Sequence, residues 1–182
     1  MCLLYSESEK YEFGYYEIGA FLMEQIFLPD GTVEAFRAVS KEFDTLYTMF
    51  AKGCGLSVTE YWCLLMIRSG ATTQTEISEQ LFLSRQTVNS AFKLLVKKKL
   101  VRLEPLEHNQ RMKQVILTQL GEQFMERYID RMLDVEQQAW QDMEEQERVM
   151  LTRLTRKYCS LIRTALQQPP TMKSSSSEDL SS

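Results

Sequence analysis

Histidine is almost missing from this sequence: His108 stands alone among 182 residues. Imidazole-based zinc sites and nucleophilic catalysis that passes a proton through histidine need more than one such residue in a polar loop can supply. No P-loop and no GxGxxG fingerprint interrupts the chain, and its seven glycines are scattered. These gaps argue against an enzyme, and no metal or cofactor is expected. The four cysteines, Cys2, Cys54, Cys63 and Cys159, form no CxxC pair. With 44% hydrophobic residues the chain needs no disulfide framework, so free thiols in a reducing cytoplasm are the expectation. No apolar run approaches the roughly 18 residues of a membrane span, and the opening MCLLYSESEK has no basic segment before its short apolar run, so it does not read as a signal peptide.

What is present is an ordinary globular balance with unevenly placed charge. The formal net charge is -4, which by itself points to no anionic partner. Residues 84 to 103, however, hold Arg85, Lys93, Lys97, Lys98, Lys99 and Arg102 and no acid, whereas residues 122 to 150 carry nine acids against three arginines. The middle of the chain is a basic island in an acidic protein, and the distribution matters more than the total.

Hydrophobic spacing organises the chain into short helices and one hairpin. Residues 1 to 31 are aromatic and acidic, partly helical by pattern, and end in the turn LPDG. Val33, Phe36, Val39, Phe43, Leu46 and Phe50 predict a helix over 32 to 52. Ser57 with Glu60 and Thr73 with Glu76 are capping-box patterns that open the next two, with Trp62, Leu65 and Met66 inward in the first and Ile77 and Leu81 in the second. Ser84 caps a helix running to about Lys98, with Val88, Ala91, Phe92 and Leu95 on one face and Arg85, Gln86, Asn89, Ser90 and Lys93 on the other. VRLEP and MKQVILT then alternate as two strands around a long polar tip, LEHNQR. Two long helices follow, about 119 to 141, with Phe124, Tyr128, Met132, Val135 and Ala139 along one side, and about 144 to 166. Gly121 reads as a tolerated helical glycine, about 1 kcal/mol worse than alanine. The end QQPPTMKSSSSEDLSS is low in complexity and expected to be disordered.

Two short helices, a tight turn and a hairpin make a winged helix-turn-helix pattern. A major groove about 12 Å wide admits one helix, and arginine and amide side chains pair with purine edges. LSVTEYWCLLMI, TEISEQLFLSRQTVNSAFKLLVKKKLV and VILTQLG, in that order and spacing, resemble the multiple-antibiotic-resistance regulator (MarR) family over residues 33 to 165. The resemblance implies a mainly α fold with a short β-hairpin. It implies a first dimerisation helix over 32 to 56, a DNA-binding domain over 57 to 118, C-terminal dimerisation helices over 119 to 167, and a tail over 168 to 182. It further implies a homodimeric regulator of transcription, a ligand-responsive repressor on a palindromic operator. Double-stranded DNA is the expected partner, with no membrane partner.

Carried onto this chain, the reading helix offers Ser84, Arg85, Gln86, Asn89, Ser90 and Lys93, and the wing offers Arg111 and Lys113. Tyr47, Phe50, Trp62 and Met66 are candidates for a pocket taking a small apolar or aromatic effector, although core packing explains each of them alone. The family's Asp-Arg-Arg wing tip is replaced here by Asn109, Gln110 and Arg111. Phe82 and Lys99 stand at turns where the family often has glycine, and Phe82 is expected to extend the core beneath the reading helix. Cys54, in a turn beside Lys52, is the expected exposed thiol, and Cys63 is expected to be packed. The alternative is a winged-helix module that binds protein and binds DNA weakly or not at all.

Overall fold

The computed structural model describes residues 30–106 and 109–167; at 106 and 109–112 the description is of the backbone. Residues 1–29, His108 and the tail from 168 lie outside it, and with them the expected N-terminal helix and the expected disorder of the tail. The fold is mainly helical with one antiparallel hairpin. Its elements are α1 (Val33–Gly53), α2 (Val58–Arg68), α3 (Gln74–Gln80), α4 (Arg85–Lys97), β1 (Val101–Leu106), β2 (Asn109–Leu117), α5 (Gln119–Phe124), a π-helical turn (Met125–Ile129), α6 (Asp130–Asp142) and α7 (Glu145–Gln167). The chain divides into two compact units, one ending at Leu133 and the other beginning at Asp134.

Helices α1 to α5 each begin on a side chain of the expected kind. Thr32, Ser57, Thr73, Ser84 and Thr118 each accept a backbone N–H of the first turn, and Ser57–Glu60 and Thr73–Glu76 are complete capping boxes. Glu76 also accepts from the Thr72 backbone N–H at 2.7 Å and from the Thr72 hydroxyl. The Thr72 backbone bond holds its carboxyl below the usual carboxylate range.

The helix stops share one device. After α1, α2, α3 and α4 a residue turns left-handed, and paired backbone bonds return to the last turn, as Leu56 to Ala51 and Gly55 to Lys52 do after α1. The next residue, Leu56, Ala71, Leu83 or Leu100, folds inward. Glycine fills the left-handed position twice, at Gly55 and Gly70. Phe82 (φ 53) and Lys99 (φ 60) fill it otherwise, against a steric cost on the order of 1 kcal/mol. The expectation that Phe82 extends the core is corrected: it is 95% exposed, because a side chain at this position of the stop projects away from both helices.

The core of this unit lies between α2, α4 and the π turn. Tyr61, Leu64, Ile77, Phe92 and Leu95 are fully enclosed there. On α2 Leu65 is buried as expected, Trp62 and Met66 are half-buried against the core, and Tyr61, Cys63 and Leu64, which the spacing did not single out, are the deepest apolar residues. Only the end of α1 joins this core, through Tyr47, Phe50 and Ala51. Val33, Phe36, Val39 and Phe43 remain exposed.

The hairpin pairs Val101 with Leu117 and Leu103 with Val115, as the alternation predicts. It is longer than expected, because β2 starts at Asn109 and takes in residues placed in the loop; the register slips between Pro105 and Leu106, leaving Arg111 within a bulge. The wing is fastened to the start of α3, where Thr73 bridges Gln114 and the Val115 N–H donates to the Thr72 carbonyl at 2.8 Å.

The expected uninterrupted helix from 119 is also corrected. The path widens into a π turn, closed by the Asp130 N–H on the Met125 carbonyl. Met125 and Ile129 are fully buried, with Phe124, Tyr128, Met132 and Leu133 packed around them. Apolar residues spaced strictly by four drift around a 3.6-residue helix, and one wider turn keeps them facing the core. Val135, placed on the same stripe by spacing, is exposed. Arg68 at the end of α2 holds Asp130 through paired contacts, with Nε to Oδ1 at 2.6 Å.

The second unit comprises the rest of α6 and α7. Arg148 donates to the Trp140 carbonyl at 3.1 Å across their corner. Leu151, Leu154, Tyr158, Leu161 and Ile162 are exposed along α7.

Gly121 is not a tolerated defect. A Cβ there would lie 2.0 Å from the Leu100 carbonyl oxygen, on backbone that cannot swing aside. Gly121→Ala is therefore expected to destabilise the protein by roughly 2–3 kcal/mol, the scale of overpacking, rather than to stabilise it as helix propensity suggests. Lys99→Gly is expected to stabilise it by roughly 0.5–1 kcal/mol. Urea denaturation of both variants checks the two signs.

Candidate nucleic-acid interface

Helix α4 owes its orientation to what it buries. Val88, Phe92 and Leu95 are completely enclosed and Ala91 nearly so, which leaves Arg85, Gln86, Asn89, Ser90 and Lys93 exposed on the opposite side. Its acid-free first turn follows the Ser84 cap, whose hydroxyl accepts the Thr87 N–H at 3.1 Å and shares a 2.8 Å hydrogen bond with the Thr87 hydroxyl.

Between α4, the start of α3 and the wing lies a groove of about 820 Å³. Arg85, Asn89 and Lys93 line it from α4 and Lys113 from β2, so four of the predicted residues are brought to one concavity. Phe92, Val96 and Leu103 form its apolar floor. Gln86 and Ser90 stand outside the groove on the outer flank of α4, where the Ser90 hydroxyl donates back to the Gln86 carbonyl at 2.9 Å. The backbone of Arg111 lies in the bulge of β2. Gln74 and Thr75 also line the groove; they escaped the sequence reading, although the Thr73–Glu76 box marks the helix start that carries them.

The basic island separates into different electrostatic roles. Glu60 is buried; its Oε2 accepts the Ser57 N–H at 2.8 Å and its Oε1 takes the Lys98 ammonium at 2.5 Å. Lys98 therefore balances a carboxylate enclosed by the core and ties the end of α4 to the start of α2. Lys97 and Lys99 on either side are exposed. Arg102 pairs with Glu104 along β1 at 2.7 Å, so of the six basic residues in the island two are engaged by acids in these pairs.

The aromatic candidates also meet. Tyr47 lies 4.9 Å from Trp62 and 6.0 Å from Tyr61, ring centre to ring centre, and Phe50 packs edge-on to Tyr61. Tyr47 and Phe50 are buried, Trp62 and Met66 half-buried. The thiol expectation is corrected: Cys54 is half-buried, and burial pushes its thiol up to about 11, while Cys63 is pushed up to about 12, chiefly by burial and further by Glu60. Cys159 on α7 is the exposed thiol among the described residues.

Residues 55–112 match the model of the MarR family, from the turn before α2 into β2. Among solved structures, the S. aureus MepR–DNA complex is 23% identical over 70% of this chain and 96% of that one, with a TM-score of 0.57. A MarR/EmrR family transcriptional regulator from Acinetobacter sp. ADP1 is 23% identical over 72% and 96%, at 0.57. Wild-type MarR from E. coli is 21% identical over 73% and 98%, at 0.52. The fold is the one these regulators share. No curated protein matches the chain in sequence.

Two measurements test these assignments. Lys98→Met strands the buried Glu60 and is expected to cost roughly 2–3 kcal/mol, below the full value for a buried pair because the lysine is partly exposed, whereas Lys97→Met costs almost nothing; equal losses in denaturation would remove the role given to Lys98. A raised thiol pKa leaves Cys54 and Cys63 protonated at neutral pH, and their thiolates gain only as pH climbs toward the raised values. Alkylation at pH 8 mapped by mass spectrometry should therefore spare both in the folded protein, and Cys54 should react about tenfold faster per pH unit up to about 11.

Proposed function

We propose, from the MarR-family match over residues 55–112 and the groove beside α4, that this protein is a transcriptional regulator that binds double-stranded DNA in a sequence-specific manner as a homodimer. The observation that carries the proposal is the exposed polar face of α4 meeting the wing in one groove, whose charged lining among the described residues is Arg85, Lys93 and Lys113. Arg85, Gln86 and Asn89 take base edges, because guanidinium and amide groups make paired hydrogen bonds to purines. Ser84, Ser90, Lys93 and Lys113 take phosphates, which position the helix without specifying sequence. Arg111 enters the adjoining minor groove.

Two-fold symmetry follows from the same proposal, since a palindromic operator presents two half-sites to two reading helices. The exposed apolar rows of α1 and α7 support it, since both are exposed among the described residues. The protein acts as a repressor, released when a small apolar or aromatic effector settles at Tyr47, Phe50, Trp62 and Met66. The half-buried state of Trp62 and Met66 supports that reading.

The test is a titration with duplex from the protein's own upstream region against scrambled duplex at several salt concentrations. The proposal expects a preference for the upstream duplex and affinity falling steeply with salt as counterions leave the phosphates. Lys93→Ala should lower the log–log salt slope by about one, and Arg111→Ala should weaken binding severalfold. Equal affinity for the two duplexes rejects operator recognition, and loss of salt dependence favours a protein-binding winged helix. A monomer at micromolar concentration rejects the dimer.

A further inference from the structure

Phe82 combines two costs that nothing among the described residues recovers. It is a bulky residue at φ 53, where glycine is at ease, and 95% of its surface faces solvent. The exposed apolar residues of α1 lie along a helix, and Leu94, Val96 and Leu120 also sit on helices; Phe82 sits instead in the turn that delivers α4. That turn is firmly held. The Phe82 N–H donates to the Glu79 carbonyl at 3.3 Å, the Leu83 N–H to the Ser78 carbonyl at 3.1 Å, and the buried Ser78 hydroxyl to the Leu83 carbonyl at 2.8 Å. The ring is therefore presented outward on a stiff mount, two residues before the Ser84 cap and three before Arg85.

We infer that Phe82 is a further DNA contact, laying its ring on apolar groups of the duplex where α4 enters the major groove. The inference rests on the DNA-binding proposal above. In helix-turn-helix docking the N-terminal residues of the reading helix approach the bases most closely, and the turn before them comes in with that end. A phenyl ring has no donor for phosphate, and Glu79 in the same turn disfavours a phosphate there. The apolar surfaces a duplex offers are the thymine C5-methyl and the deoxyribose carbons. Such a contact gives the strained, exposed aromatic a return in the complex that the described residues of the free protein do not give it.

The experiment uses the full chain and a duplex selected by it from a randomised DNA pool. Phe82→Asn keeps a residue that accepts the left-handed conformation and removes the ring; Phe82→Gly relieves the strain altogether. Both variants are expected to melt no earlier than wild type and to bind the selected duplex roughly tenfold more weakly. Their salt slope should be unchanged, because no phosphate contact is lost; Phe82→Trp should retain binding. Replacing thymines by uracil one at a time separates the two apolar sources. A position where uracil weakens wild type but not Phe82→Asn assigns the methyl, and loss on Phe82→Asn with no such position assigns the deoxyribose. Wild-type affinity in Phe82→Asn, or a loss that comes with lowered stability or a reduced salt slope, overturns the inference while the DNA-binding proposal stands. Failure of wild type to select any duplex overturns both.

Discussion

The Leu100 carbonyl is the point on which the winged half of the molecule turns. It accepts the Thr118 backbone N–H at 3.1 Å, while the Thr118 hydroxyl donates to the neighbouring Lys99 carbonyl at 2.6 Å and caps α5 through the Gly121 N–H. Three transitions meet within these few atoms: the end of α4, the closing of the hairpin and the start of the C-terminal helices. The approach is so close that residue 121 has no room for a Cβ. The end of the reading helix and the beginning of α5 therefore cannot separate without breaking the hairpin's closing bonds. Buried peptide groups left unpaired there would cost on the order of 1–3 kcal/mol each.

A second tether acts at the same end of α4. Glu60 and Lys98 are far apart in sequence and meet in a short ion pair at the edge of the core. A salt bridge of this kind adds little net stability compared with apolar packing, but losing one partner is expensive, so the pair favours one placement of the helix over its neighbours. With the wing fastened to the start of α3 through Thr72 and Thr73, the groove lined by Arg85, Asn89, Lys93 and Lys113 has walls fixed at both edges.

Much of this was legible in the sequence, and the failures have physical causes. Caps were visible because Ser, Thr and Glu at the right spacing have one local use. The α4 face and the strand register were visible because a period of 3.6 or 2 assigns every residue to a side. The direction of Phe82 was not, since an apolar residue beside a core helix reads as core until a left-handed backbone turns it outward. Lys98 and its two neighbours carry the same charge on adjacent positions, and only the path of α2 singles out the middle one. Gly121 looked like a weak helix residue because propensity counts local entropy, whereas its constraint comes from a carbonyl twenty-one residues away.

The π turn at Met125–Ile129 sets a phase. It holds one residue more than an α-helical turn would, which shifts Met132 and Leu133, the apolar residues that follow it in the first unit, by that residue's share, about 100°. Removing a single residue from the turn would leave a continuous α-helix with Met132 and Leu133 a quarter-turn or more out of step with the core they pack against. The turn behaves as a punctuation mark in the helical pattern: it keeps the apolar residues before and after it on one core.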